Sequence, residues 1–205
     1  MTASIGIDLG RPAPEVARGL LGCTLVSRVG GRRVGVRLTE VEAYGATDDP
    51  GSHAYRGRTP RNGAMYEAGG AVYVYSIYGL HELLNLVTGP AGEASAVLVR
   101  AGVVVSGVQT ALARRGHDAA GPGLARGPGN LAVCLGVTRA LDGVRLGPLS
   151  LLDLVPADAR VLPQAVETGP RVGLRDDGRL DRYWIAGDPS VSAFRPPKPA
   201  RRGPG

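Results

Sequence analysis

Lysine is almost absent from this chain. It has 205 residues, of which 24 are lysine or arginine, yet Lys198 is the only lysine. Catalysis through a Schiff base needs an amine. Here only Lys198, in a proline-rich tail, and the N-terminus could supply one, so lyase chemistry of this kind is disfavoured. Arginine supplies the other basic side chains, and its planar fork suits phosphate groups.

Cysteine is also scarce, and several common site motifs are missing. Cys23 and Cys134 lie in apolar surroundings, and we expect two buried free thiols, with a disulfide between them as the alternative. No Cys-x-x-Cys pair exists, which excludes zinc ribbons and the zinc deaminase signature. The run from His81 to Asn85 has asparagine where a zincin needs its second histidine. No P-loop or nucleophile elbow is present, and we expect neither a metal nor a cofactor.

Long apolar runs are absent as well. No window approaches 18 apolar residues, and the N-terminus lacks a basic start followed by an apolar run. We therefore expect no membrane partner, no signal peptide and a cytoplasmic location. The length fits one domain, while 32 glycines and 16 prolines argue against a helical bundle. A formal charge of +6 favours an anionic partner such as nucleic acid.

Aromatic residues are few but clustered. Nine are present, and six of them fall between positions 44 and 78. These six are Tyr44, Tyr55, Tyr66, Tyr73, Tyr75 and Tyr78. Flat rings beside a carboxylate and arginines indicate a site that stacks a planar ligand and acts on it. The alternative is that tyrosines simply suit β-strands.

Residue periodicity predicts an early helix over 14–22 and then a strand from Arg33. In that strand Val34, Val36 and Leu38 share a face, and the same period of two extends to Glu40 and Glu42. A carboxylate at the end of a core-facing series would be partly desolvated, which raises a pKa. In the alternative, the strand ends near Thr39 and both glutamates are solvated.

Later segments alternate between turns and short strands. Short connections predict an antiparallel arrangement. The expected elements are a loop over 45–64, strands over 71–78, 82–88, 96–101, 149–155 and 182–186, and helices over 104–115 and 127–135. We expect a single domain over 1–194 and a disordered tail over 195–205.

Several of these residues belong to short motifs that follow one another in a definite order along the chain. They are Glu42-Ala43-Tyr44, His53, Thr59-Pro60-Arg61-Asn62, the run from Tyr73 to Gly79, Asn85 and Leu98-Val99-Arg100. Later pieces are Gly127-Pro128-Gly129-Asn130, Arg171-Val172-Gly173 and the segment 182–192. In order and spacing the chain resembles the alkyladenine (3-methyladenine) DNA glycosylases over roughly residues 10–195.

The resemblance implies an α+β fold: a curved antiparallel sheet with peripheral helices, like the C-terminal domain of methionyl-tRNA formyltransferase. It implies a monofunctional, monomeric, nucleoid-associated enzyme that flips damaged purines from double-stranded DNA and hydrolyses their glycosidic bonds. Glu42 would activate water beside Arg100. The base pocket would comprise Tyr44, His53, Tyr75 and Asn85, with Tyr78 intercalated in the duplex. DNA-backbone contacts would come from Thr59, Arg61, Leu80 and His81.

Two departures and one rival accompany this resemblance. Family members commonly carry a lysine where this chain has Asn130, so a phosphate contact there is in question. Leu80 and His81 stand where other members often have different bulky residues. The rival is a non-catalytic RNA- or tRNA-binding module of the related fold, which would not need a buried Glu42 beside Arg100.

Overall fold

Two eleven-residue strands lie at the centre of a sheet in the computed structural model, which describes residues 6–77, 79–116, 120–174 and 178–196. In chain order the elements are α1 (Ala13–Leu20), β1 (Thr24–Ser27), β2 (Val34–Tyr44), β3 (Val72–Ile77), β4 (His81–Val87), β5 (Ala96–Ser106), α2 (Val108–Arg115), β6 (Ala125–Arg126), α3 (Pro128–Leu135), β7 (Leu152–Val155), β8 (Val166–Gly169) and β9 (Arg182–Ile185).

The nine strands found in these described ranges form one curled antiparallel sheet. Its main order is β3-β4-β5-β2-β1-β7, with β6 beside β5 and β8 beside β9. One edge of β2 pairs with β5, while its other edge pairs first with β1 and then, over Glu40 to Glu42, with β9. The expected fold class, a single α+β domain around a curved antiparallel sheet, is confirmed.

Helices α1 and α3 cover one face of the sheet. Proline stands at the start of each helix, where its missing N–H has no intrahelical acceptor to lose. Helix α1 packs on β2, and α3 packs on β4 and β5. The main core lies between these helices and the sheet, and it includes Leu20, Leu84, Leu86, Leu131 and Leu135.

Two bulges face each other in the middle of the β2–β5 ladder. The register skips one residue in each strand, Thr39 in β2 and Arg100 in β5. Such a skip shifts the alternation of side chains by one position. The main-core residues of β2 are even-numbered before the bulge and odd-numbered after it: Val34, Val36, Leu38, Val41 and Ala43.

Glu40 and Glu42 therefore lie on the face opposite to the main core, which we call the site face. The prediction that they continue the core-facing series was wrong, because the bulge at Thr39 reverses the phase. The alternative was also wrong: β2 continues to Tyr44, and both glutamates are fully buried.

Of the other helices and strands predicted from the sequence, some are confirmed and some were wrong. The strands over 71–78 and 82–88 and the helices over 14–22 and 127–135 are confirmed within a few residues. A helix from Val104 was wrong, because β5 continues to Ser106 and α2 begins only at Val108. Gly107 makes that switch with a φ of 68°, where an added Cβ would meet the carbonyl oxygen of Arg33. Strands β1, β6 and β8 were not predicted.

Cys23 and Cys134 are buried and free, as predicted. Of the tail, Arg195 is described and accepts a hydrogen bond from the Gly173 N–H at 3.1 Å, while 197–205 lie outside the described residues. Within the described ranges, no helix is long and apolar enough to cross a bilayer.

Candidate functional site

A cavity of about 580 Å³ opens on the site face. Cross-strand register places one residue from each of four neighbouring strands in a row along this face: Tyr73, Asn85, Leu98 and Glu42. The first three line the cavity directly, whereas Glu42 lies behind its wall. Predicted site residues that line the cavity are Tyr44, His53, Arg61, Tyr75, Asn85 and Arg100.

Glu42 has no exposed surface and is held by three donors. Its Oε2 accepts hydrogen bonds from the Tyr44 hydroxyl at 2.8 Å and from Nη1 of Arg100 at 3.1 Å. Its Oε1 accepts the Val172 N–H at 2.7 Å. A carboxylate offers about four lone-pair sites. In the described parts of the chain three are occupied, all three of these donors line the cavity, and one site on Oε1 remains for a further donor.

Arg100 links Glu42 to a second buried carboxylate. Its Nε donates to Oε1 of Glu40 at 2.8 Å, and the same oxygen accepts Nε of Arg182 at 2.8 Å. Burial lowers the pKa of Arg100, but the charges of Glu42 and Glu40 outweigh it and the pKa is raised. Arg100 is therefore a permanent cation in the cavity wall.

The behaviour of Glu40 differs from the sequence expectation. Burial raises its pKa, as predicted for a desolvated carboxylate. The charges of Arg100 and Arg182 and two hydrogen bonds from Ser192 act in the opposite direction, and the net pKa lies below the ordinary value. The sequence showed the desolvation but not the arginines that two other strands bring to it.

Tyr44 is fixed from two sides. Its hydroxyl donates to Glu42, and the guanidinium of Arg171 lies over its ring, 4.6 Å from the centroid. Arg171 forms a two-pronged pair with Asp49, with both N···O distances at 2.6 Å. Burial, and then the charge of Glu42, raise the pKa of Tyr44 well above its usual value, so the hydroxyl stays protonated as a donor.

Three rings form the aromatic wall of the cavity. Tyr73 and Tyr75 stack with centroids 5.5 Å apart, and His53 contacts Tyr75 edge-on at 4.5 Å. Nδ1 of His53 hydrogen-bonds to the Tyr73 hydroxyl at 2.9 Å. Partial burial, and then the charge of Arg61, lower the pKa of His53. The structure thus brings His53 and Tyr75 together but leaves no gap between them for another ring.

Asn85 is buried and lines the cavity. Its Nδ2 donates to the backbone oxygen of Tyr73 at 3.0 Å, which fixes the orientation of the amide because a carbonyl can only accept. Its neighbours Leu84 and Leu86 point into the main core on the other side of the sheet. The predicted separation of Asn85 from these leucines is confirmed.

The loop over 45–62 is organised by a residue that received no predicted role. Asn62 is buried, and its Nδ2 donates to the backbone oxygens of His53 and Gly57, while its Oδ1 accepts the Thr59 N–H at 2.7 Å. Thr59 and Arg61 are exposed beside it, with Arg61 at the cavity. The sequence signal for this role was that Asn62 belongs to the motif Thr59-Pro60-Arg61-Asn62.

The tip of the β3–β4 hairpin lies beside the cavity. Leu80 is 77% exposed there, His81 is exposed, and an added Cβ on Gly129 would come within 3.4 Å of the His81 ring. A second cavity of about 770 Å³ adjoins the first, and its lining includes Arg100, Arg126, Asn130 and Arg195. Tyr78, predicted to intercalate, lies outside the described residues.

Arg171 and Val172 lie at the site, although the sequence analysis assigned them no role. The guanidinium of Arg171 lies over the ring of Tyr44, and the backbone N–H of Val172 donates a hydrogen bond to Glu42. A backbone donor leaves no trace in residue type, so only the motif pointed to it. Among the described residues, no group of three or more His, Cys, Asp or Glu side chains could hold a metal ion.

Comparison with known proteins agrees with this geometry. A protein of Streptomyces avermitilis, named as a candidate 3-methyladenine DNA glycosylase, is 48% identical over 199 residues, which cover 94% of this chain and 92% of the relative. A Frankia casuarinae protein of the same name is 44% identical over 207 residues, covering 96% and 95%. The model of the methylpurine-DNA glycosylase family matches residues 8–189. The chain therefore belongs to the methylpurine-DNA glycosylase family, and it is a DNA glycosylase whose partner is DNA.

Proposed function

We propose that the enzyme is a monofunctional glycosylase for alkylated or deaminated purines in duplex DNA. Its substrates would be 3-methyladenine, 7-methylguanine, hypoxanthine and ethenoadenine. The damaged nucleotide is flipped out of the helix, and its base enters the cavity lined by Tyr44, His53, Tyr75 and Asn85. Water activated by Glu42 then cleaves the glycosidic bond. The enzyme acts as a monomer and leaves an intact abasic site.

The observation that carries this proposal is the placement of Glu42. A fully buried carboxylate lies behind an aromatic cavity, and three of its hydrogen-bond donors form part of that cavity's wall. Donors of this kind hold the carboxylate in a fixed orientation towards the cavity, as a positioned base requires. The remaining lone-pair site on Oε1 can accept a proton from water that enters beside Arg100.

The reaction uses groups that lie at the cavity. The water oxygen forms a bond to C1′ of the sugar, and its proton passes to Glu42. The electrons of the C1′–N bond leave with the purine: a base that carries a positive charge departs as a neutral molecule, and an uncharged base departs as an anion that takes up a proton from solvent. The negative charge of Glu42 also stabilises the positive charge that develops on the sugar.

Base binding requires movement in the aromatic wall. A ring stacked between two others needs about 7 Å between their centroids, whereas His53 and Tyr75 are 4.5 Å apart. We infer that the incoming base displaces His53, which lies on an exposed part of the loop, and stacks on Tyr75 and Tyr44. A cationic purine gains a further cation–π attraction from these rings.

The flipped state needs support from the protein, because unstacking a nucleotide costs a few kcal/mol. We propose that the hairpin tip enters the duplex, with Tyr78 as the intercalating residue and Leu80 and His81 near the backbone. Thr59 and Arg61 would contact phosphates on the other side of the cavity. Asn130, in place of a lysine, would offer a neutral hydrogen bond to a phosphate at the second cavity.

A panel of duplex oligonucleotides, each with one lesion, tests the proposal through release of free base. Glu42→Gln keeps the side-chain shape and removes the base, so excision should fall about 10²- to 10⁴-fold. Binding to duplex that contains a stable abasic analogue should persist. Glu167→Gln is the matched control, because Glu167 is a strand glutamate away from the cavity, and among the described residues its side chain accepts a hydrogen bond from Nε1 of Trp184 alone, at 2.6 Å.

Two results would contradict the proposal. Release of no base from any lesion duplex by the wild-type enzyme would exclude these substrates. A Glu42→Gln variant as active as Glu167→Gln would show that another group activates the water.

A further inference from the structure

We propose that Glu40 is a positioning residue, which aims Arg100 at the reacting nucleotide and keeps it there while Glu42 accepts a proton. This inference rests on the proposed function. Glu40 has no exposed surface and does not line the cavity, so it would act only through Arg100.

Two buried carboxylates fix the orientation of Arg100. A guanidinium is planar, so two fixed nitrogens determine the direction of the third. Glu40 holds Nε at 2.8 Å and Glu42 holds Nη1 at 3.1 Å. In the described part of the protein, Nη2 has no hydrogen-bond partner, and Arg100 lines both cavities where they adjoin. The two carboxylates together therefore direct Nη2 towards the substrate.

Glu40 continues to hold Arg100 after the proton transfer. When Glu42 takes the proton of water, its negative charge disappears and its hold on Arg100 weakens. Glu40 keeps its charge, because burial, which raises its pKa, is outweighed by Arg100, Arg182 and Ser192. Arg100 then keeps one charged partner throughout the reaction.

Glu40 is itself held rigidly by hydrogen bonds. It accepts the N–H of Ser192 at 2.7 Å and the Ser192 hydroxyl at 2.9 Å, besides Nε of Arg182. The bulge at Thr39 turns both Glu40 and Glu42 onto the site face, and the opposing bulge places Arg100 between them. Four such contacts on one carboxylate are more than an ion pair needs, and they suit a fixed reference point.

A double-mutant cycle tests whether Glu40 acts through Arg100. The variants are Glu40→Gln, Arg100→Met and the double variant, assayed by single-turnover base release and by binding to duplex with an abasic analogue. We expect Glu40→Gln to slow release about 10- to 100-fold, as misplacement of a reacting group does, with binding within about threefold. In the Arg100→Met background the same change should alter the rate by less than about twofold.

Ser190→Ala is the control for loss of structure around Glu40. Ser190 anchors the same segment through a 2.8 Å hydrogen bond to Thr39 but does not touch Arg100. Circular dichroism checks folding, and Arg100→Lys replaces Arg100→Met in the cycle if the latter is unfolded.

The outcomes separate this inference from the proposed function. If the wild type releases base and Glu42→Gln does not, the proposed function stands. Glu40 then fails as a positioning residue if Glu40→Gln matches Ser190→Ala, or if the two single effects multiply in the double variant. If the wild type releases no base, the proposed function itself fails.

Discussion

Replacement of Arg100 by methionine should destabilise the protein strongly at neutral pH and less strongly in acid. Methionine keeps much of the aliphatic length but removes the charge between Glu40 and Glu42. Both carboxylates are fully buried, and each loses one charged hydrogen bond. Glu40 keeps Arg182 and Ser192, and Glu42 keeps Tyr44 and Val172, so neither is left without a donor.

The magnitude follows from this count of partners. Breaking a buried ion pair from one side costs about 3–5 kcal/mol, and the surviving donors place the expected loss near the lower value. At about 2–4 °C per kcal/mol for a chain of this length, a loss of about 3 kcal/mol lowers the melting temperature by about 6–12 °C.

The pH dependence follows from the pKa of Glu40. Burial raises this pKa, and Arg100 is the largest influence that lowers it, so the wild-type value lies below that of the unfolded chain. This contribution to wild-type stability is present above the unfolded pKa, about 4.3, and is lost as pH falls through the folded value. Without Arg100 the folded pKa of Glu40 rises, because only Arg182 and Ser192 then oppose burial, so the variant loses less stability than the wild type when the carboxylate takes up a proton. The difference between the two proteins should therefore shrink as pH falls from 8 to 4.

Urea unfolding followed through the single tryptophan, Trp184 in β9, measures both the loss of stability and its dependence on pH. Arg139→Met is the control: Arg139 pairs with Asp142 at 3.6 Å and is 43% exposed, so its loss should cost under about 1 kcal/mol. An Arg100→Met variant that matches this control, or a deficit that stays constant between pH 8 and pH 4, would refute the electrostatic account of the cluster.

Two further predictions concern the cavity. Asn85→Ser should raise release of guanine relative to hypoxanthine, because a shorter side chain opens space beside the exocyclic amine of guanine, and such a clash is worth a few kcal/mol; an unchanged ratio in the lesion panel would show that Asn85 is not the screen. Borohydride added during turnover should trap no covalent protein–DNA adduct, because the cavity lining contains no lysine among the described residues and the sequence contains only Lys198; a stable adduct on a denaturing gel would overturn the water mechanism.

Residue identity and order predicted the cavity better than they predicted the sheet. The tyrosines of β3, Asn85 and Arg100 were expected near one another, and alternation along short antiparallel strands is enough to bring them to one face. The pattern of β1 and β8, four residues each, is too short to separate from a turn. Val104 continues a strand rather than a helix, because pairing with β2 outweighs local helix propensity.

The phase of Glu40 and Glu42 could not be read from the sequence. An unbroken period of two places them with Val36 and Leu38, and nothing in the residue types announces a bulge at Thr39. The bulge becomes visible only when β5 is laid beside β2, which is a long-range pairing. The same holds for Arg182 and Ser192, which reach Glu40 from more than 140 residues away in the chain.

The paired bulges make this part of the gene intolerant of small deletions. Loss of one codon at Thr39 would restore an unbroken alternation in β2, which would turn Glu40 and Glu42 towards the leucines of α3 and send Val41 and Ala43 into the cavity. A matching deletion in β5 would then be needed to realign the two strands, and it would remove Arg100 itself. Deletion of a single residue at either position is therefore expected to disrupt the site, whereas a substitution at Thr39 would leave the register of the two strands unchanged.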